Sequence, residues 1–291
     1  MRTVLQLLLL FIIAQMLGLV VANAFMHDNG GMFFRDDGYS TWDLLSIVLG
    51  FAFAVLFSLA LVKINREVLF RLLEFIVITS AVFIVFDGIG WYLGFDWTAS
   101  LVFAVMLGIA KFFDPRLRNA TATLSSTGVA VMFGMFLTFT DAIIFMIVIS
   151  IYDYVAVFIT RHMVTLASEF GKRKMSFSVA SEERVVERAR VIMPSGKVKE
   201  KLEEKTELLE LGTGDIAIPL AFNIVVFKTV FPYNPAAAMS GYIVMSTFSL
   251  LALALLLVYV KKNRLFLPAL PPILLGSVAG YVIAYLSGII A

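Results

Sequence analysis

The chain has 291 residues, 60% of them apolar, and a mean hydropathy of +0.94. A water-soluble domain has an apolar share of only about half, so the solvent for this fold is lipid. A net charge of +2 gives no basis for nucleic-acid binding, and the absence of cysteine excludes disulfides, thiolate nucleophiles, cysteine zinc sites and iron–sulfur clusters.

The apolar runs approach 20 residues and do not alternate, so they predict membrane-spanning helices and exclude a β-barrel. In chain order they fall at 4–25, 44–62, 68–86, 97–110, 124–139, 142–160, 211–231, 241–260 and 271–290, nine in all. Ala22-Asn23-Ala24 resembles a signal-peptidase site, but the apolar stretch before it is longer than a signal h-region, which favours a retained helix. The fourth run is short, and Gly88-Ile89-Gly90-Trp91-Tyr92 ahead of it reads as interfacial aromatic chain. Its crossing is nonetheless required. Lys63, Arg66 and Arg71 precede the third run and Lys111, Arg116 and Arg118 follow the fourth, so an even number of crossings lies between them. As a single helix, 128–160 would be roughly 50 Å long against a hydrocarbon core of about 30 Å, so it must break. Thr138-Phe139-Thr140-Asp141 is its polar interruption, with Thr140 or Asp141 as the expected cap of the next helix.

Lysines and arginines lie on alternate loops, the last set being Lys261, Lys262 and Arg264. Asp28, Asp36, Asp37, Asp43, Asp87, Asp96 and Asp141 lie on the others. The expected fold is therefore an all-α polytopic membrane protein of nine transmembrane helices, N-terminus cytosolic and C-terminus outside. It divides into a six-helix part at 1–160, a hydrophilic cytosolic loop at 161–210 and a three-helix part at 211–291. The loop carries both signs of charge, with Pro194-Ser195-Gly196 as a turn. Residues 200–211 have helix-forming composition, although Leu208-Leu209-Glu210-Leu211 equally suits an extended run into the seventh span.

Two carboxylates stand inside spans: Asp153 in Tyr152-Asp153-Tyr154-Val155-Ala156-Val157, and Asp215 in Gly212-Thr213-Gly214-Asp215-Ile216. A charge deep in a membrane helix costs about 2.5 to 3.5 kcal/mol on insertion scales. Both lie near the cytosolic ends of successive antiparallel spans, at depths that allow them to face one another. Facing carboxylates in low dielectric cannot both ionise, so the pair would hold one proton, with one member poised as base and the other as acid. Spacing alone leaves three roles open: a proton or cation pathway in a transporter or channel, polar packing, and catalysis. Gly212 and Gly214 weaken helix at the start of the seventh span and admit a close neighbour, but suit helix packing equally. In Leu267-Pro268-Ala269-Leu270-Pro271-Pro272 each pre-proline residue is biased away from helix, which predicts extended chain to Pro271 and a ninth span beginning at Pro271 or Pro272. Glu74 is expected to meet polar neighbours or the cytosolic interface, and Lys228 to snorkel outward. His162 reads as a residue of the sixth span's cytosolic end.

Together, Tyr152-Asp153, Gly212-Thr213-Gly214-Asp215 and Pro268-Ala269-Leu270 on the sixth, seventh and ninth spans resemble the presenilin family of intramembrane aspartyl proteases, in its archaeal type. The resemblance covers essentially the whole chain. It implies an endopeptidase that hydrolyses transmembrane substrate helices with Asp153 and Asp215 and a water. Tyr152, Gly212, Thr213, Gly214, Pro268, Ala269 and Leu270 would shape the site or bind substrate. It implies no metal or organic cofactor; the expected partners are transmembrane-segment proteins and the bilayer, in the plasma membrane of a prokaryote, with the need for accessory subunits left open. Thr213 stands where presenilins usually have Leu and Ile216 where they have Phe, and the 161–210 loop is comparatively short. Signal peptide peptidases share the aspartate motifs but resemble an inverted orientation, against which the basic loops argue.

Overall fold

The computed structural model describes residues 2–27, 49–50, 57, 67–156, 178–192, 198–263 and 268–290. Most of the second predicted span, His162 and the Pro194-Ser195-Gly196 turn lie outside them. In chain order the described elements are α1 (Arg2–His27), α2 (Glu67–Leu93), α3 (Trp97–Phe113), a 3-10 turn (Pro115–Leu117), α4 (Arg118–Phe136) and α5 (Phe139–Tyr154). Strands β1 (Ser178–Ile192) and β2 (Val198–Gly212) follow, then α6 (Thr213–Val230), α7 (Pro235–Asn263) and α8 (Leu270–Leu286). Four helices, Arg2–His27, Arg71–Leu93, Thr213–Val230 and Pro235–Asn263, are long and apolar enough to cross a membrane, and Trp97–Phe113 and Leu270–Leu286 are shorter apolar helices.

Helix α1 is apolar on every side, and burial separates its faces. Leu7, Phe11, Ala14, Gly18 and Val21 point inward, whereas Leu5, Leu9, Ile12 and Met16 are exposed. An apolar residue on the outside of such a helix faces lipid, so burial here reports helix contacts and not hydrophobic sorting. At the centre stands α6, which touches α1, α4, α5, α7 and α8. Its residues Ile216, Leu220, Ile224 and Phe227 join a core with Leu7, Phe11 and Val131, and its opposite face packs Phe222 and Val225 on Phe145, Met146 and Leu274.

Polar groups at membrane depth must find partners within the protein. The Asn223 amide of α6 donates to Gln15 Oε1 of α1 at 3.2 Å. The Tyr242 hydroxyl of α7 donates to the Gln15 carbonyl at 2.6 Å, and Ser246 to Gln15 Oε1 at 3.0 Å. These bonds fasten three helices about one buried point. Glu74 pairs with Lys111 across α2 and α3, the two side chains 3% and 7% exposed, so the polar-neighbour expectation for Glu74 holds. The Lys228 ammonium donates to the carbonyls of Met135 and Leu137 at 2.7 and 2.8 Å, capping the C-terminal end of α4, which the expected topology puts on the outer side.

Three boundaries also move. Helix α2 continues through Gly88 to Leu93 because Tyr92 and Trp91 have partners on α1: the Asn23 amide donates to the Tyr92 hydroxyl at 2.8 Å, and Trp91 stacks on His27. The break before α5 is capped by Thr138, whose Oγ1 accepts the Asp141 amide at 3.3 Å and donates to the Asp141 carboxylate at 2.6 Å. Helix α8 starts at Leu270, with Ala269 as N-cap at φ −84°, ψ −27°, so the extended stretch expected up to Pro271 is shorter. Prolines at the first turn suit a helix start, and this outweighs the pre-proline bias at Leu270.

The largest departure from an all-α fold is an antiparallel hairpin. β1 and β2, each of 15 residues, pair from Ser178↔Gly212 to Ile192↔Val198. The helix-forming composition of 200–211 is overridden, and the extended alternative for Leu208 to Leu211 is the one adopted.

Helices α2 and α4 approach so closely at Gly128 that an added Cβ would stand 1.8 Å from the Ala81 carbonyl oxygen. Gly128→Ala is therefore expected to lower unfolding stability by about 1 to 3 kcal/mol, although alanine is the better helix former. Thermal unfolding in detergent measures this; an unchanged or raised midpoint would contradict the packing described.

Candidate active site

The end of β2 passes without a break into the start of α6, so Asp215 sits in the third helical position behind a strand. Gly212 is the N-cap, with φ −62° and ψ 143°, still in the extended region. Its amide donates to the Asp215 carboxylate. An added Cβ at Gly212 would lie 3.1 Å from Asp215 Oδ2, so a side chain there would crowd that carboxylate. Gly214 is different: none of the described residues lies within 4 Å of where its Cβ would be.

The hairpin's base is fixed to the membrane helices. The Arg118 guanidinium at the start of α4 donates to Ser178 Oγ at 2.7 Å and to Glu210 Oε1 at 3.1 Å. Ser181 donates to Gln6 of α1. Val179 and Leu211, opposite one another in register, are buried in the core beside α1 and α6. Because Ser178 pairs with Gly212, the Arg118 contact acts one register step from the residue that caps Asp215.

Asp153 lies near the end of α5, 7% exposed, and accepts a hydrogen bond from the Leu270 main-chain amide at the start of α8. Its Oδ2 is buried, with no hydrogen-bond partner among the described residues. The Asp153 charge acts on both Asp215 and the half-buried neighbouring Tyr152, which places the two carboxylates within electrostatic reach of each other. Leu270 is 3% exposed and packs with Phe145, Met146 and Ile149 of α5 and Phe222 of α6. Pro268 and Ala269 are half-buried, and Ala269 packs on the core that contains Ile216 and Ala217.

Three segments far apart in sequence thus converge: 152–153 on α5, 212–215 at the β2–α6 junction and 268–270 at the head of α8. Thr213 opens α6 and is half-buried. The contributions of Arg118, Ser178 and Gln6 were not signalled by any local motif; only their long-range pairing with the hairpin brings them to the site. Two carboxylates so placed, one buried with a free lone-pair position and one at a helix N-terminus, suit general acid–base chemistry on a water.

A family model described as signal-peptide peptidase, presenilin aspartyl protease matches residues 8–290. Among solved structures, one described as a presenilin family intramembrane aspartate protease in a C222 crystal is similar with a TM-score of 0.65 at 18% identity, covering 98% of this chain and 99% of its own. A second, described in the same words for a P2 crystal, has a TM-score of 0.63 at 18% identity, with 97% of each chain covered. Comparison with curated proteins gives no significant match.

Removing the anchor should loosen the hairpin selectively. Arg118→Ala is expected to raise amide hydrogen exchange at 178–181 and 209–212 by about tenfold or more, with α7 and α8 unchanged. Exchange that rises equally everywhere, or not at all, would show that Arg118 does not hold this junction.

Proposed function

The chain belongs to the signal-peptide peptidase and presenilin family of aspartyl proteases, and from that premise we propose that Asp153 and Asp215 form the catalytic pair that cuts transmembrane segments within the bilayer. The observation that carries this reading is the convergence of Asp153, the Leu270 amide, Asp215 and the Gly212 amide. One carboxylate takes a proton from a water as that water attacks the scissile carbonyl. The other gives a proton to the carbonyl oxygen, so a gem-diol forms with no covalent intermediate. Proton return to the amine completes cleavage. The Leu270 and Gly212 amides hold the carboxyl groups in orientation. Membership in an aspartyl protease family weighs against the transporter or channel alternative for the same aspartates.

A substrate helix hides its peptide bonds, so a few residues must unwind first. Among the described residues the sheet has two strands, and β2 pairs with β1 along one edge only. Its other edge, at 207–211, is suited to receive the unwound substrate as an added strand that delivers the scissile bond to Asp215. Tyr152, Gly212, Thr213, Gly214, Pro268, Ala269 and Leu270 then shape the cleft. The arrangement fits nine spans, six before the hydrophilic 161–210 segment and three after it, with the N-terminus in the cytosol of a prokaryote and the C-terminus outside. Water reaches the pair from the cytosolic side.

Purified protein mixed with a single-span substrate in detergent tests the assignment. Asp153→Asn and Asp215→Asn should each lower kcat by at least about a thousandfold with the fold intact. Cleavage that survives either change would remove that residue from the catalytic pair. Proline placed singly from Glu207 to Leu211 is expected to reduce kcat/KM at alternate positions, following the strand's two-residue period; uniform tolerance would exclude the added-strand route.

A further inference from the structure

Helix α6 contains a proline in its interior, Pro219, which is buried. In an α-helix the amide of residue i donates to the carbonyl of residue i−4. Proline has no amide hydrogen, and its ring presses on that same carbonyl. The carbonyl deprived of its donor is that of residue 215. The residue whose carboxylate stands in the proposed catalytic pair therefore also presents a main-chain oxygen that lacks the i+4 amide donor of its own helix.

Two further observations point to a ligand at this place. Gly214, directly before Asp215, is exposed, and none of the described residues comes within 4 Å of the position of an added Cβ. Asp153 Oδ2, on the facing helix, is buried with no partner among the described residues. At membrane depth an acceptor without a donor is unfavourable, and a substrate unwound over a few residues brings main-chain amides that have just lost their own acceptors. The needs of the two chains are complementary.

We propose that the main-chain carbonyl of Asp215 accepts a hydrogen bond from a main-chain amide of the unwound substrate, and that Pro219 is the positioning residue that frees it. This rests on the protease reading above. Pro219 touches no reacting atom. It acts by withholding a donor, so that one residue supplies both a carboxylate for the chemistry and a carbonyl that registers the substrate strand. A helix without the proline would close this acceptor internally.

The test uses the full-length protein and synthetic single-span peptides in which one amide near the cleavage position at a time is replaced by an ester, deleting one N–H. With the unaltered protein, one ester position outside the scissile bond should lower kcat/KM by about three- to tenfold. Pro219→Ala, which restores the helical donor, should lower kcat/KM on the all-amide peptide by a similar factor while raising the thermal midpoint. The ester at that same position should then have no further effect. Pro219→Leu also restores the amide and should behave alike, which guards against a packing defect peculiar to one variant. If both variants cleave as fast as the unaltered protein, or if every ester penalty persists in both, the proposal is overturned. Failure of the unaltered protein to cleave any peptide would instead overturn the protease reading itself.

Discussion

The junction at which β2 becomes α6 is the constraint on which the site depends. A carboxylate at the start of a membrane helix requires a backbone that changes from extended to helical at membrane depth, and such backbone is tolerated only when protein covers it. Here the extended side is held by the hairpin, through Arg118 to Ser178 and Glu210, and the helical side by the contacts of α6 with five other helices. Gly212 stands between them, its φ and ψ still extended and its amide on the carboxylate it introduces. Displacing either side would move the Asp215 carboxylate off the Gly212 amide.

The surrounding polar groups divide into those that fix helices and those that remain available. Asn223 with Gln15, Glu74 with Lys111, and Lys228 with the end of α4 hold two or three helices in register, although Gln15 Nε2 and Asn223 Oδ1 themselves lack partners among the described residues. Interhelical hydrogen bonds of this kind are individually modest, about 0.6 kcal/mol on average in a membrane, so their value lies in orientation more than in stability. At Asp153 an interaction with the Leu270 amide orients the side chain, and Oδ2 has no partner among the described residues. An unpartnered buried carboxylate oxygen is unfavourable for folding and useful only where something binds.

Much of this was legible in the sequence because lipid makes apolar runs and intramembrane charges unusually informative. The runs around α1, α6, α7 and α8, the break before α5 and the two aspartates all follow from composition and spacing. The resemblance carried by Tyr152-Asp153, Gly212 to Asp215 and Pro268 to Leu270 agrees with the family that matches residues 8–290. The hairpin was less legible, since its charged residues suit an exposed helix as well as a strand, and what decides is distant: Arg118 and Gln6 lie on other elements. The partners of Lys228 were hidden for the same reason, being carbonyls of another helix, which leave no trace in side-chain sequence. The prolongation of α2 depended likewise on Asn23 and His27 of α1.

Asp153 and Asp215 are proposed to face one another, and the chain's lack of cysteine makes this directly measurable. In the double variant Asp153→Cys with Asp215→Cys the two introduced thiols are the only ones present. A short thiol-specific bifunctional reagent should join them within one chain, in detergent and in native membranes, and a bound substrate peptide should slow the reaction. If each single variant reacts with a monofunctional thiol reagent and yet the pair never cross-links, the two residues do not share a site and cannot form a catalytic pair.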